Sequence, residues 1–434
     1  MSDKLNEPPK TVRERSGRLL KMVGTLASQE FLRRIQGKNE VKSNLNLSQV
    51  QTLVKELGHL KGAAMKLGQM LALETRDYFP EEVCLVLDQL QSEASFLDFE
   101  VIEAILKEEL KNNYFEINAI SRSPIAAASI GQVHRANMQN GQPLAIKVQY
   151  PGIKDSIKSD VKLLGSLMKT VSVLMRKQVD LTNLVEEFSE IFLQESNYLK
   201  EANFSELYRN RAQNIPELIV PFIYKKYSSE KVITMDFEPG IKLTEWMKAP
   251  DATLELRQFY GKLILDLYSR EFCEWGLVQT DPNLGNFLFR PKEKKLVLLD
   301  FGATKEYDLT FRKQYAQLIM ATLSRNNQKL LSIGEEMGLI DPRESDETKS
   351  TFKTLLFESM RPITLQEYDF SESEYPENMR KISRELVKSL QFSSPPQKLI
   401  FLHRKLSGIF YILRTLKAKL PLTSYTERFE TLAC

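Results

Sequence analysis

Cysteine and histidine are nearly missing from this chain of 434 residues, which holds three of each. Cys84, Cys273 and Cys434 stand far apart, form no C-x-x-C pair and leave no disulfide framework, as expected for a reducing compartment. So thin a supply of soft and imidazole ligands argues against a zinc site. Long apolar runs are missing too. None reaches the roughly 18–20 residues that cross a bilayer, and the best stretch, 161–175, is interrupted by Lys162 and Lys169. With no secretory signal at the start, the expectation is a chain that does not span a membrane by itself. One-sided charge is also lacking. The formal net charge is +3, and no stretch interleaves aromatic and basic residues, so no nucleic acid partner is expected.

What is present is ordinary globular material: 42% hydrophobic and 27% charged residues. The length suits a two-lobed unit with an extension, or two to three smaller domains. Residues 1–45 are basic. Leu19, Leu20, Val23, Leu26, Phe31, Leu32 and Ile35 recur there at helical spacing among arginines and lysines. Such a helix either lies on an anionic membrane surface or docks on the main body with its charged face solvated. Val50, Leu53, Val54, Leu57, Leu60, Ala64, Leu67 and Leu71 form a helical stripe over 46–75. Two more helices are predicted over 80–92 and 98–112, the second capped by Asp98. Residues 130–136 and 143–149 read as strands joined through Asn140-Gly141, a hairpin signal. A long helix is predicted over 155–213, then β segments at 218–224 and 231–237 before Pro239-Gly240. The remainder reads as helical, interrupted by two short strands at 287–289 and 296–299.

The chemistry concentrates in Asp281-Pro282-Asn283-Leu284-Gly285-Asn286, followed across that short hairpin by Asp300-Phe301-Gly302. Transfer of a phosphoryl group from Mg²⁺-ATP calls for this order of groups. Asp281 would orient the attacking hydroxyl or water, while Asn286 and Asp300 would hold the metal. Upstream, Lys147 ends a strand, where a lysine can reach the α- and β-phosphates. It needs an acidic partner. Glu195 and Glu201 are available on the long helix, six positions apart and so facing different ways; Glu201 is preferred. Met235, Asp236, Phe237 and Glu238 fall where a hinge would offer backbone hydrogen bonds to adenine, although core strand residues would look the same. His134 and His403 read as structural.

At these residues, together with Lys66-Leu67-Gly68-Gln69 and Ala126-Ala127-Ala128-Ser129-Ile130-Gly131-Gln132, the chain resembles the UbiB/ADCK atypical kinase-like proteins. It looks most like their coenzyme Q subgroup, over nearly all of its length from about residue 45. The resemblance implies an α+β, protein-kinase-like two-lobed fold with a family-specific N-terminal helical extension. Its parts would be a basic arm over 1–45, the extension over 46–118, an N-lobe over 119–240 and a C-lobe over 241–434. It implies ATP/ADP and Mg²⁺ as cofactors and a part in ubiquinone biosynthesis. Partners would be an anionic membrane surface and prenyl-quinone precursors or the enzymes of that pathway. The setting would be the bacterial cytoplasm and inner membrane, or the matrix side of a mitochondrion. Lys66 and Gln69, at i and i+3, share a helix face with Gly68 between them. In the family that face lies across the nucleotide opening, opposite an E-x-D motif that begins here at Glu195. The third position of that motif is Asn197 instead of aspartate.

The alanine stretch replaces a glycine-rich loop. Methyl groups at Ala126, Ala127 and Ala128 hinder close approach of backbone amides to phosphates, so altered nucleotide placement and weak kinase activity are expected. Thr280 stands where an arginine would dock an activation-loop phosphate, and no A-P-E follows Gly302. A peptide-kinase platform is therefore not expected. The sequence leaves open an ATPase, a small-molecule or lipid kinase, and a non-catalytic nucleotide-gated scaffold.

Overall fold

The computed structural model describes residues 96–434, apart from 129, 155–192, 194, 282, 373, 394 and 395. The basic arm, the Lys66-Gly68-Gln69 motif, Ser129 and most of the long helix expected over 155–213 lie outside the described residues. The chain divides into two compact units. One comprises residues up to 200 with 223–237, the other 201–222 with 238–434.

The first unit opens with α1 (Phe99–Leu110). Asp98 precedes it as expected, but its backbone carbonyl, not its side chain, receives the Val101 and Ile102 amides at 3.1 and 3.4 Å. Strands β1 (Ile117–Asn118), β2 (Ala126–Ala127), β3 (Gly131–Met138) and β4 (Pro143–Gln149) follow. The chain then passes through α2 (Tyr198–Arg211) and β5 (Leu218–Ile219) and returns as β6 (Val232–Asp236). The sheet is antiparallel throughout, in the order β1-β3-β4-β6, with β2 also on β3. The expected hairpin of β3 and β4 is present. Gly141 at its turn has φ +87°, a conformation that a side chain resists. Alternation does the packing: Leu144, Ile146 and Val148 on one face of β4 join Ile102, Leu106 and Leu110 of α1 in a dry core.

The second unit takes residues 201–222, which the sequence reading had grouped with the first strands. The reason is pairing and burial. β5 runs parallel to β9 (Lys295–Leu298), Leu218 opposite Leu296, while Tyr208, Ala212 and Ile215 enter the second core. β7 (Leu277–Gln279) precedes β8 (Phe287–Arg290), which forms the expected hairpin with β9. After it β10 (Thr304–Glu306) pairs with β7. Around these strands stand α3 (Leu243–Trp246), α4 (Leu254–Ser269), α5 (Leu309–Leu323), α6 (Asn327–Glu336), α7 (Asp346–Met360), α8 (Glu374–Ser389), α9 (Gln397–Thr415) and α10 (Thr423–Ala433). Thr253, Asp308, Asn326 and Ser345 start four of these helices by accepting a backbone amide on their side chains. No described helix is long and apolar enough to cross a membrane.

Candidate active site

In the first unit Lys147 sits on β4 between Val133 of β3 and Ile233 of β6. Strand alternation turns it away from the core face that Ile146 and Val148 share. Its side chain is buried, and its ammonium lies 4.8 Å from the centroid of the Tyr198 ring, a cation–π contact. Tyr198 opens α2, and here the sequence reading needs correcting. Glu195 and Glu201 do not share one helix. The chain breaks at Ser196-Asn197, and the Asn197 side-chain oxygen accepts from the Leu199 and Lys200 amides at 3.1 and 3.2 Å. Asn197 is thus the N-cap of α2, a task its amide performs as well as a carboxylate. Gln149 ties the break to β4 by donating to the Ser196 carbonyl at 3.0 Å. Glu195 and Glu201 are both buried, one on each side of the break.

The alanine stretch is held at an edge of the sheet. Ala126 and Ala127 pair with Val133 and Gln132, and the Ala128 amide donates to the Gly131 carbonyl at 2.9 Å. Gly131 is required: a Cβ there would collide with the Val148 carbonyl. At 235–238 the geometry is likewise committed. Met235 and Asp236 pair with Ala145 and Leu144, and the Phe237 amide donates to the Pro143 carbonyl at 3.1 Å. Asp236 accepts from Tyr224 at 2.7 Å and Gln142 at 2.8 Å, while Glu238, in the second unit, pairs with Arg290. His134 is structural, as expected. Its Nδ1 lies 2.7 Å from the Ser121 carbonyl and its Nε2 2.9 Å from the Gln132 amide nitrogen. Burial lowers its pKa from the ordinary imidazole value. His403, on α9, meets the ring of Tyr315 on α5 at 6.4 Å between centroids.

The second unit brings together Asp281, Asn286 and Asp300. Asn286 Nδ2 donates to Asp281 Oδ2 at 2.9 Å. Because Phe287 faces Leu298 across the β8–β9 hairpin, Asn286 faces Leu299, whose amide donates to the Asn286 carbonyl at 3.0 Å. Asp300 is the next residue, so both metal candidates stand at the same end of the hairpin. Asp300 accepts the Gly302 amide at 2.9 Å, which fixes its carboxylate in the Asp-Phe-Gly turn. Among the described residues no three His, Cys, Asp or Glu side chains cluster as a self-sufficient metal site. An amide oxygen and a carboxylate nevertheless fit Mg²⁺, which takes few protein oxygens and completes its shell with water and phosphate.

Five residues that sequence reasoning missed, Arg404, Lys405, Glu271, Gln279 and Tyr208, complete this half. Arg404 of α9 donates to Asp281 Oδ1 at 3.2 Å. Its neighbour Lys405 lies 3.2 Å from both the Glu271 carboxylate and Gln279 Oε1. Glu271 also accepts from Tyr208 at 2.7 Å and from the Gln279 amide at 3.2 Å, and Gln279 in turn donates to the Asp281 carbonyl at 2.9 Å. Phe301 of Asp-Phe-Gly packs on the Tyr208 ring at 4.8 Å. Burial raises the Glu271 pKa, opposed chiefly by Lys405, and burial with the adjacent carboxylate pushes the Tyr208 phenol well up. The only signal in the sequence was the missing arginine before Asp281. Past Gly302 the chain passes through β10 and directly into α5 at Leu309, so no long activation segment intervenes.

Comparison with known proteins places this arrangement. A family model described as the ABC1 atypical kinase-like domain matches residues 89–333. The mitochondrial atypical kinase COQ8 of Schizosaccharomyces pombe is 33% identical over 380 residues, covering 86% of this chain and 61% of that protein. COQ8 of Saccharomyces cerevisiae is 30% identical over 372 residues, covering 85% of this chain and 73% of that one. The chain thus spans about three fifths to three quarters of these relatives. A solved complex of Rv3197 with erythromycin from Mycobacterium tuberculosis superposes with TM-score 0.60 at 24% identity, over 93% of this chain and 97% of that one; it shares the fold. The kinase-like α+β architecture and the resemblance read from the motifs are both borne out, and the chain belongs to the ABC1 atypical kinase-like family.

Proposed function

We propose that this protein is an atypical kinase-like ATPase that uses Mg²⁺-ATP to support ubiquinone biosynthesis at a membrane surface. One observation carries the reading: Asp281 is bonded to Asn286, which pairs across the hairpin beside Asp300. Asn286 and Asp300 would hold Mg²⁺, which neutralises charge on the phosphate oxygens when bound. Asp281 would orient the nucleophile, and Lys147, held by a buried sheet and the Tyr198 ring, would pair with the phosphates. Either Glu195 or Glu201 would keep Lys147 extended, with Glu201 preferred. The COQ8 relatives, named as mitochondrial atypical kinases, support the pathway; the membrane surface, mitochondrial or bacterial inner, is part of the proposal.

The test is Mg²⁺-dependent ATP turnover by the purified chain, with and without anionic liposomes and a phenolic quinone precursor. Stimulation by both is expected. Turnover that ignores both would remove the membrane-pathway role, and no turnover at all would remove the ATPase. The short passage from Gly302 through β10 into α5 favours a second reading, a small-molecule or lipid kinase, over a peptide kinase. Label from ATP appearing in a lipid product would select it.

A further inference from the structure

We infer that Arg404 is a positioning residue for ATP turnover, fixing the Asp281 carboxylate from a helix 123 residues downstream. The inference rests on the role proposed for Asp281. An aspartate in a loop rotates about its terminal torsion unless both oxygens are held. Here they are held by different elements: Oδ2 by Asn286 at 2.9 Å and Oδ1 by Arg404 at 3.2 Å. The pair is nearly dry, with side-chain exposures of 11% for Arg404 and 10% for Asp281. A charge-assisted bond is stronger there than at a surface.

The helix that presents Arg404 is itself anchored along the segment after Asp-Phe-Gly. Lys398 pairs with Asp308 at 2.6 Å, and its carbonyl accepts from the Tyr307 hydroxyl at 3.0 Å. The Lys305 ammonium lies 4.7 Å from the Phe401 ring centroid, and Lys405 reaches Glu271 and Gln279. Residues 398, 401 and 405 follow helical spacing, so one side of α9 runs along the catalytic loop and β10. Peptide kinases set this region with a phosphorylated activation segment docked on an arginine beside the catalytic aspartate. This chain has Thr280 in that place and a fixed helix instead, so the Asp281 geometry needs no phosphorylation event.

The experiment compares the full-length protein with Arg404→Ala and Arg404→Lys by steady-state ATP turnover, affinity for a fluorescent ATP analogue, and thermal melting. For Arg404→Ala, kcat falls roughly tenfold to a hundredfold, the scale of a misplaced catalytic group, while nucleotide affinity stays within about twofold of the parent. Arg404→Lys recovers only part, because an ammonium lacks the planar fork. Free guanidinium raises turnover of Arg404→Ala and leaves Asp281→Asn unchanged. An unchanged kcat, a loss confined to nucleotide affinity, or a folded Arg404→Ala that guanidinium does not raise would each overturn the inference. If Arg404→Ala melts, Arg404→Lys decides by the same kcat and affinity readings. A parent chain that turns over no ATP would instead sink the proposed function itself.

Discussion

Lys405 and Glu271 form an ion pair at 3.2 Å in the interior of the second unit, with side-chain exposures of 5% and 0%. Around it Tyr208, Gln279 and the Asp281 carbonyl are hydrogen-bonded into one network. A buried pair earns little net stability over an apolar filling, but losing one member is severe, because the other charge stays buried.

Lys405→Met therefore destabilises the protein by about 3–5 kcal/mol at neutral pH, measured by denaturant unfolding. The pH dependence follows from Glu271, whose folded pKa burial already raises above its unfolded value of about 4.3. Between the unfolded and folded values the native state binds more protons, so stability falls as pH rises through that window. Removing Lys405 removes the opposing influence and moves the upper edge of the window higher. The deficit of Lys405→Met relative to the parent should widen from pH 4 towards neutrality; a deficit that is flat with pH contradicts the assignment.

Asp281→Asn keeps the bond from Asn286 sterically feasible but removes the charge that orients a nucleophile. Its turnover should fall on the order of 10²-fold or more with nucleotide affinity kept. Asp300→Asn should instead weaken Mg²⁺-nucleotide binding, seen as a higher Mg²⁺ requirement. If Asp281→Asn supports full function in cells, the chain is a nucleotide-gated scaffold and not a catalyst.

Ala128 places its amide on the Gly131 carbonyl, and its methyl group favours the ordered strand edge. Ala128→Gly frees that backbone for close approach to phosphates. The expected outcome is a shift from hydrolysis towards autophosphorylation, read by labelled ATP on gels. Equal label on parent and variant would separate the alanines from nucleotide placement.

His134 is held as the neutral ring by a carbonyl at Nδ1 and an amide nitrogen at Nε2, and Gln132 is oriented by the Leu97 amide, which donates to its Oε1 at 2.9 Å. Burial sets its folded pKa below an unfolded value of about 6.5. The unfolded chain then binds the extra proton first, so stability present above pH 6.5 is lost as pH falls through the folded value. His134→Gln should flatten that acid limb of the unfolding curve. An imidazole seen by NMR to titrate at or above its ordinary value would contradict this.

Much of the site was legible because its chemistry is local. Asp281, Asn286 and Asp300 are spaced by one turn and one hairpin, so short-range rules carry them to the same end of β8 and β9. Lys147 was legible for a similar reason, since a hairpin with Asn140-Gly141 fixes its register. The helix break at Ser196-Asn197 was not, because Asn favours caps yet is tolerated inside a helix, and only the bonds from the Leu199 and Lys200 amides decide between the two.

Local patterning determined the two hairpins and the residues proposed to face phosphate, and the resemblance of those motifs to a known family supplied the kinase-like class. Tertiary structure alone decided that residues 201–222 join the second core, and that Arg404, Lys405 and Glu271 surround the loop of Asp281. Arg404 is separated from Asp281 by 123 positions, and no periodicity or spacing encodes a contact made by folding a distant helix onto a loop. The charges of Arg404, Lys405 and Glu271 read as ordinary surface residues until burial sets Arg404 against Asp281 and Lys405 against Glu271.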